Sequence, residues 1–255
     1  MRDSVIVITG ASSGFGELIA RNCAAAGARV VLAARSADRI EALAHELGGE
    51  TRALAMPTDV TRDADAARLI DASLRRFGRI DALVNNAGFG VLDAVADAKL
   101  SDLQEMMDVN VYGAIRCTQA ALPHMRARRR GQIVMMASIA GLVTSRNMAF
   151  YSGTKHALVG ITRTLMLELQ GSGVRCALIC PGVAQTGFQQ RAVESKYARI
   201  TRLTSVTPEA VARATQRAIA RGAHGEIVLP WYGRLLALGA HALPGVARAI
   251  MRIVG

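Results

Sequence analysis

The amino-acid sequence predicts an α/β fold in which a doubly wound, mostly parallel sheet of seven strands carries helices on both faces. Seven short, near-continuously apolar runs recur along the chain, and helix-length segments separate them. A strand that is apolar at almost every position is covered on both faces, as in parallel sheets buried between helical layers. No Ser/Gly/Pro-rich linker and no internal repeat divides the 255 residues, so residues 1–255 read as a single domain.

The strands are expected at SVIVIT (4–9), RVVLAA (29–34), TRALAMP (51–57), DALVNN (81–86), QIVMMAS (132–138), VRCALIC (174–180) and EIVLP (226–230). Between them, segments such as 14–27, 61–77, 99–128 and 150–170 have room for crossover helices. Within the last of these, Tyr151 and Lys155 stand four apart and share one helical face, which Leu158 and Val159 continue. In isolation such a pair is more often a packed tyrosine beside a snorkelling lysine than a catalytic couple. Doubly wound folds bind ligands at the carboxyl ends of their strands, so the chemistry is expected there.

Composition narrows the classes. Hydrophobic residues make up 51% and charged residues 20%, the balance of a globular chain. No run reaches transmembrane length and the opening MRDS has no signal-peptide pattern, so a cytoplasmic protein is expected. Cys23, Cys117, Cys176 and Cys180 lack the usual zinc spacings and read as reduced core residues. The five histidines are scattered, so no metal is expected. The net charge of +11 comes mostly from arginines spread along the chain. The one cluster, RARRR at 126–130, reads as cations at a helix end rather than a nucleic-acid patch, since no aromatic residues interleave with it.

The loop after the first strand points to a ligand. ITGASSGFG (8–16) sets Gly10, Gly14 and Gly16 between a buried strand and a helix. Glycines there allow a tight turn and close approach to a pyrophosphate, which the helix N-terminus favours. The second strand ends in Ala34–Arg35, with no carboxylate for ribose hydroxyls and a guanidinium suited to a 2′-phosphate. NADP(H) is favoured over NAD(H).

From about residue 4 to 230 the chain resembles the short-chain dehydrogenase/reductase family, in its short single-domain Rossmann form. The motifs come in the family's order: T-G-x-x-x-G-x-G at 9–16, TDV at 58–60, NNAG at 85–88, Asn110, Ser138, Y-x-x-x-K at 151–155, and PG at 181–182. The resemblance implies an NAD(P)-dependent oxidoreductase acting on CH–OH and C=O groups. It makes Asn110, Ser138, Tyr151 and Lys155 catalytic: Tyr151 as general acid/base, Ser138 on the substrate oxygen, and Asn110 holding a water that relays protons to Lys155. For the cofactor it implies the loop residues Gly10, Ser12, Ser13, Gly14, Phe15 and Gly16. Asp59 is implied on the adenine beside Val60, and Asn86, Ala87 and Gly88 along the adenosine ribose. Pro181, Gly182 and Ala184 are implied near the nicotinamide amide, Thr186 close to the amide or the phosphates, and Tyr151 and Lys155 at the nicotinamide ribose. Ser13 departs from the pattern, standing where many NADP-preferring relatives carry a basic residue; His156 departs too, and turns away from the catalytic face. A charge about 4 Å from the phenol at an effective dielectric near 20 is worth ~4 kcal/mol, so Lys155 is expected to bring Tyr151 towards ~7.

Residues 183–205 are expected to form the substrate lid, and Phe89, Leu142, Met148 and Phe188 an apolar pocket for a lipophilic carbonyl compound or secondary alcohol. A homo-oligomer, a dimer or tetramer, is expected. In the tail, 231–255, Pro244 is expected to start a helix with Val246, Ala249, Ile250, Ile253 and Val254 on one face and Arg248 and Arg252 elsewhere. Burial of that face against protein is favoured there over peripheral membrane contact. The rival class is a non-catalytic NADP(H) sensor on the same fold, against which the presence of both Tyr151 and Lys155 argues.

Overall fold

The computed structural model describes residues 1–184, 204–243 and 245. Among these, seven strands build one sheet: β1 (Val5–Thr9), β2 (Arg29–Ala34), β3 (Ala53–Pro57), β4 (Ala82–Asn85), β5 (Gly131–Met136), β6 (Val174–Pro181) and β7 (Gly225–Leu229). The order is β3-β2-β1-β4-β5-β6-β7, and every neighbouring pair is parallel. The helices are α1 (Gly14–Ala25), α2 (Ala37–Glu46), α3 (Asp63–Phe77), α4 (Leu100–Met107), α5 (Gly113–Ala127), α6 (Ala149–Glu168), α7 (Pro208–Arg221) and α8 (Gly233–Ala242).

The continuous apolar strands serve two cores, because successive side chains point to opposite faces of a sheet. Val5, Val7, Leu83, Ile133 and Leu178 pack with residues of α3, α5 and α6. Ile6, Ile8, Val84, Val134 and Ile179 pack with residues of α1, α2 and α7. All four cysteines are buried, unpaired thiols, and Cys176 and Cys180 share the first core as their spacing suggests. After β1 the chain runs outward through β2 and β3, then returns to β4 on the other side of β1. The carboxyl ends of β1 and β4 therefore flank the point where the winding reverses, where such sheets hold their ligands.

Two expected elements are corrected, and a third lies outside the described residues. The segment 99–128 is not one regular helix: a π-helical turn at Asp108–Tyr112 separates α4 from α5. The third strand starts at Ala53 rather than residue 51, because Gly49–Thr51 forms a 3-10 turn. In the tail, α8 precedes the helix expected from Pro244; Pro244 and residues 246–255 lie outside the described residues. The arginine cluster does end a helix. α5 stops at Ala127, Arg128 donates to the Ile80 carbonyl at 3.1 Å, and Arg129 donates to the Gly171 carbonyl at 3.0 Å.

Candidate active site

β1 delivers the glycine loop to the carboxyl edge of the sheet. Gly10 and Gly14 take φ values of +65° and +58°, a region that side chains with a Cβ rarely adopt. Gly16 is needed for another reason: a Cβ there would run into the Gly10 carbonyl and stand 2.6 Å from Asn86 Nδ2. The loop is thus a cradle that larger residues would fill. Ser13 is the N-cap of α1 but its side chain makes no capping hydrogen bond. Ser12 and Phe15 beside it are half-buried.

Thr9 locks this loop to the NNAG turn that follows β4. Its hydroxyl accepts hydrogen bonds from the amides of Asn86 (3.0 Å) and Ala87 (3.1 Å), and donates to the Val84 carbonyl at 3.3 Å. Asn86 Nδ2 in turn donates to the carbonyls of Thr9 (3.0 Å) and Gly10 (3.2 Å). The Asn86 amide group therefore braces the loop. Thr9 stands inside the glycine motif but was not expected as a site residue, since its hydroxyl acts only across 75 or more residues of sequence.

Arg35 is exposed at the end of β2, and Asp59 and Val60 follow β3 next to it. Asp59 Oδ1 accepts from the Thr61 amide (3.0 Å) and hydroxyl (2.8 Å), closing a local turn, while Arg62 approaches Oδ2 at 3.9 Å. Burial works to raise the Asp59 pKa, but the Thr61 hydrogen bonds and the charges of Arg35 and Arg62 outweigh it together and hold it below the usual range. Val60 is buried under Gly113, where a Cβ would come within 2.7 Å of Val60 Cγ2.

The catalytic candidates converge from three elements. Ser138 follows β5 and caps a 3-10 turn at Ile139–Gly141, accepting from the Ala140 amide at 3.1 Å. Its hydroxyl donates to the Pro181 carbonyl at 3.4 Å and is hydrogen-bonded to the Tyr151 side chain. Tyr151 and Lys155 rise from the first turns of α6, both buried. Lys155 Nζ donates to the Met136 carbonyl at 3.1 Å and lies 5.7 Å from the Tyr151 ring centroid. His156 is exposed, with Nδ1 2.9 Å from the Ser152 carbonyl, clear of the cluster.

Asn110 lies in the π-helical turn, fully buried. Its Oδ1 accepts from the Phe89 amide (2.9 Å), and its Nδ2 donates to the Phe89 carbonyl (2.8 Å) and to Thr154 Oγ1 (3.2 Å). Thr154 donates onward to the Tyr151 carbonyl at 2.8 Å, a second linking hydroxyl that sequence reasoning missed. A Cβ on Gly88 would sit 2.9 Å from Asn110 Oδ1 and 3.7 Å from Lys155 Nζ, so Gly88 gives the strand-end turn its close seat on the cluster.

The electrostatics correct the expected pKa balance. Burial pushes the Tyr151 phenol up to about 12, against the lowering effect of Ser138. Burial also pulls Lys155 down to about 8. The ammonium sits over the ring and bonds Met136, and desolvation of the phenolate exceeds any stabilisation it gives. The phenol of the cofactor-free site is thus firmly protonated, ready as a proton donor but not poised near neutrality.

On the cofactor side, Gly182 is in tight contact with Thr204, where a Cβ would run into the carbonyl, and its amide donates to the Leu229 carbonyl at 2.6 Å. Val183 and Val206 exchange backbone hydrogen bonds with this strip, closing the base of the expected lid. Ala184 is half-buried beside it. Thr186 and Phe188, with the rest of the lid through 203, lie outside the described residues.

Residues 4–197 match the family model for short chain dehydrogenase. An uncharacterised oxidoreductase of Staphylococcus saprophyticus is 36% identical over 224 residues, covering 86% of this chain and 91% of that protein. A further uncharacterised oxidoreductase, from Staphylococcus aureus, is 35% identical over 188 residues, covering 74% of this chain and 81% of the relative. Among solved structures, a 3-ketoacyl-(acyl-carrier-protein) reductase from Brucella melitensis complexed with NADH superposes with a TM-score of 0.83 at 28% identity, covering 89% of this chain and 97% of that one. An alcohol dehydrogenase from the archaeon Thermococcus sibiricus, complexed with 5-hydroxy-NADP, gives 0.79 at 28% identity, covering 89% and 96%. With the glycine cradle, the Ser138–Tyr151–Lys155 cluster and a match over most of its length, the chain belongs to the short-chain dehydrogenase/reductase family of NAD(P)-dependent oxidoreductases.

Proposed function

We propose that this enzyme transfers hydride between NADP(H) and the carbonyl or secondary alcohol carbon of a lipophilic substrate, with Tyr151 as the general acid/base. The observation that carries the reading is the buried contact of Tyr151 with Ser138, beside the ammonium of Lys155. When bound, the nicotinamide supplies or accepts the hydride. In reduction, the phenol gives its proton to the substrate oxygen as negative charge develops there, leaving a phenolate beside Lys155. Ser138 donates a hydrogen bond to the same oxygen and stabilises that charge. Asn110 would hold the water that relays protons to Lys155, its side-chain amide fixed in place by Phe89 and Thr154.

The glycine cradle fits a dinucleotide pyrophosphate, and the pairing of Asp59 with Thr61 leaves Oδ2 for the adenine edge. Arg35, exposed and close enough to act on the Asp59 charge, favours NADP(H). The lipophilic preference rests on the apolar group around Tyr151, made of Met106, Ala140, Phe89, Val91, Leu92 and Met148. We further place the enzyme in the cytoplasm, on the strength of four reduced core thiols. We take it to be a homo-oligomer, on the strength of the exposed Ile161 and Leu167 on the outer face of α6.

The direct test is ketone-dependent oxidation of NADPH and NADH over a graded series of aliphatic and aromatic ketones. Activity confined to small charged sugars would overturn the lipophilic reading, and cofactor binding without any turnover would favour a sensor. Arg35→Ala is expected to weaken NADPH binding by roughly 10- to 100-fold, the worth of a charge-assisted phosphate contact, and to leave NADH nearly unchanged. Equal losses in fluorescence titrations would make Arg35 structural. Gly16→Ala is expected to lower both NADPH affinity and Tm, because the added Cβ collides with the Gly10 carbonyl; a cost of about 1–3 kcal/mol is usual for such overpacking.

A further inference from the structure

α8 follows β7 and so lies at the same carboxyl edge of the sheet as Ser138 and Tyr151. Its first residue packs directly on the turn after Ser138: a Cβ on Gly233 would come within 2.7 Å of Ile139 Cδ1. Its outer side is apolar and open to solvent. Trp231 is 73% exposed, Leu235 58%, Leu236 49%, Leu238 60% and Leu243 59%. Trp231, Leu235 and Leu238 follow one another at i, i+4 and i+7, the spacing of a single helical stripe.

The sequence that carries this stripe is cationic. From Trp231 to Gly255 the sequence has three arginines, Arg234, Arg248 and Arg252, and no carboxylate. The acidic residue nearest in sequence, Glu226, feels the charge of Arg234 and is paired directly with Arg163 at 2.6 Å. A symmetric contact with a second copy sets this patch against itself and so brings two cationic segments together, with no Asp or Glu in either to offset them. An anionic bilayer surface meets both demands at once, accepting the leucines among its acyl chains and the guanidiniums among its headgroups. A tryptophan at the edge of the stripe suits the interfacial region, where its amphipathic ring is favoured.

We propose that the Trp231–Leu243 face docks on anionic phospholipid membranes, with the rim of the active site facing the lipid. The proposal concerns α8 alone; the face expected to be buried against protein, Val246 to Val254, lies outside the described residues. No helix among the described residues is long and apolar enough to cross a membrane, so the contact is peripheral. Docking there would let a lipophilic ketone or alcohol pass between bilayer and cleft without crossing water. The docking itself does not depend on the chemistry at Tyr151, so its test needs no turnover.

Trp231 is the only tryptophan in the chain, which makes it a direct reporter. The full-length protein is titrated with phosphatidylcholine vesicles with and without about a third phosphatidylglycerol, following Trp emission and co-sedimentation. Anionic vesicles are expected to blue-shift the emission and carry the protein down, and 1 M NaCl to weaken both, since it shortens the screening length to about 3 Å. Leu235→Glu/Leu238→Glu is expected to weaken vesicle binding by at least about tenfold, because each leucine loses its transfer into the apolar phase. NADPH binding by the same variant checks that its fold is kept. Arg234→Glu, which leaves the stripe intact, serves as a second variant and is expected to weaken binding to anionic vesicles only. An unshifted emission and an unpelleted wild-type protein would overturn the proposal. So would a drop in light-scattering mass of the leucine variant with no vesicle binding by the wild type, which would assign the face to a second copy.

Discussion

Tyr151→Phe is expected to lower kcat/KM for ketone reduction by roughly 10²- to 10⁴-fold, the usual worth of a positioned general acid, while NADPH affinity is retained. The substitution removes one oxygen and keeps the ring that packs on Met106 and Ala140. In the proposed reaction the phenol gives the proton, and burial holds it up to about 12, so it stays protonated through the neutral range. That same burial makes the reverse reaction harder to start, since oxidising an alcohol needs the phenolate. The positive charge of an oxidised nicotinamide, once bound nearby, acts to lower the phenol again. Reduction is therefore expected to tolerate acid better than oxidation does. Steady-state kinetics of the variant, with NADPH binding followed by fluorescence, check the assignment. Retention of more than about a tenth of kcat/KM, a barrier change below ~1.4 kcal/mol, would remove Tyr151 from the role.

The parts of this site that are legible in the sequence are those set by local geometry. Helical spacing places Tyr151 and Lys155 on one face whatever surrounds them, and a glycine-rich turn after a buried strand forces the chain up to the sheet edge. The seven strands are legible for a related reason, since double burial leaves a continuous apolar run. What stays hidden is set by partners far away in the chain. Thr9 looks like the last residue of a strand until Asn86 and Ala87 donate to its hydroxyl from across the sheet. Asn110 looks costly inside a helix, and is accommodated because the chain departs into a π-helical turn and the amide pairs with Phe89. The pKa balance is hidden most completely. Spacing gives the separation of two groups but not their solvation, and here desolvation decides the direction of both shifts. The stripe on α8 is hidden as well, because the sequence alone does not say that Leu235, Leu236 and Leu238 stay exposed.

Lys155→Met is expected to reduce kcat by about 10²-fold or more and to abolish a pH limb near 8. Lys155 is pulled down to about 8 by burial, so its ammonium is present below that pH and lost as pH rises through it. A phenolate forming at Tyr151 during reduction is stabilised only while that charge remains. The wild-type rate of reduction should therefore be flat below about pH 8 and decline above it. Methionine has nearly the same length and no charge, so it fills the site but cannot donate to the Met136 carbonyl, which Lys155 reaches at 3.1 Å. The variant relieves a buried charge and leaves one carbonyl without its donor, two effects of opposite sign, so a modest change in Tm is expected beside the large change in rate. Lys155→Arg separates charge from shape: guanidinium stays protonated across the range, so any residual activity should show no limb near 8. Rate profiles from pH 6 to 10 on the three proteins decide the matter. If the Lys155→Met enzyme keeps the decline near pH 8, the limb belongs to another group and Lys155 does not supply the charge that holds the phenolate.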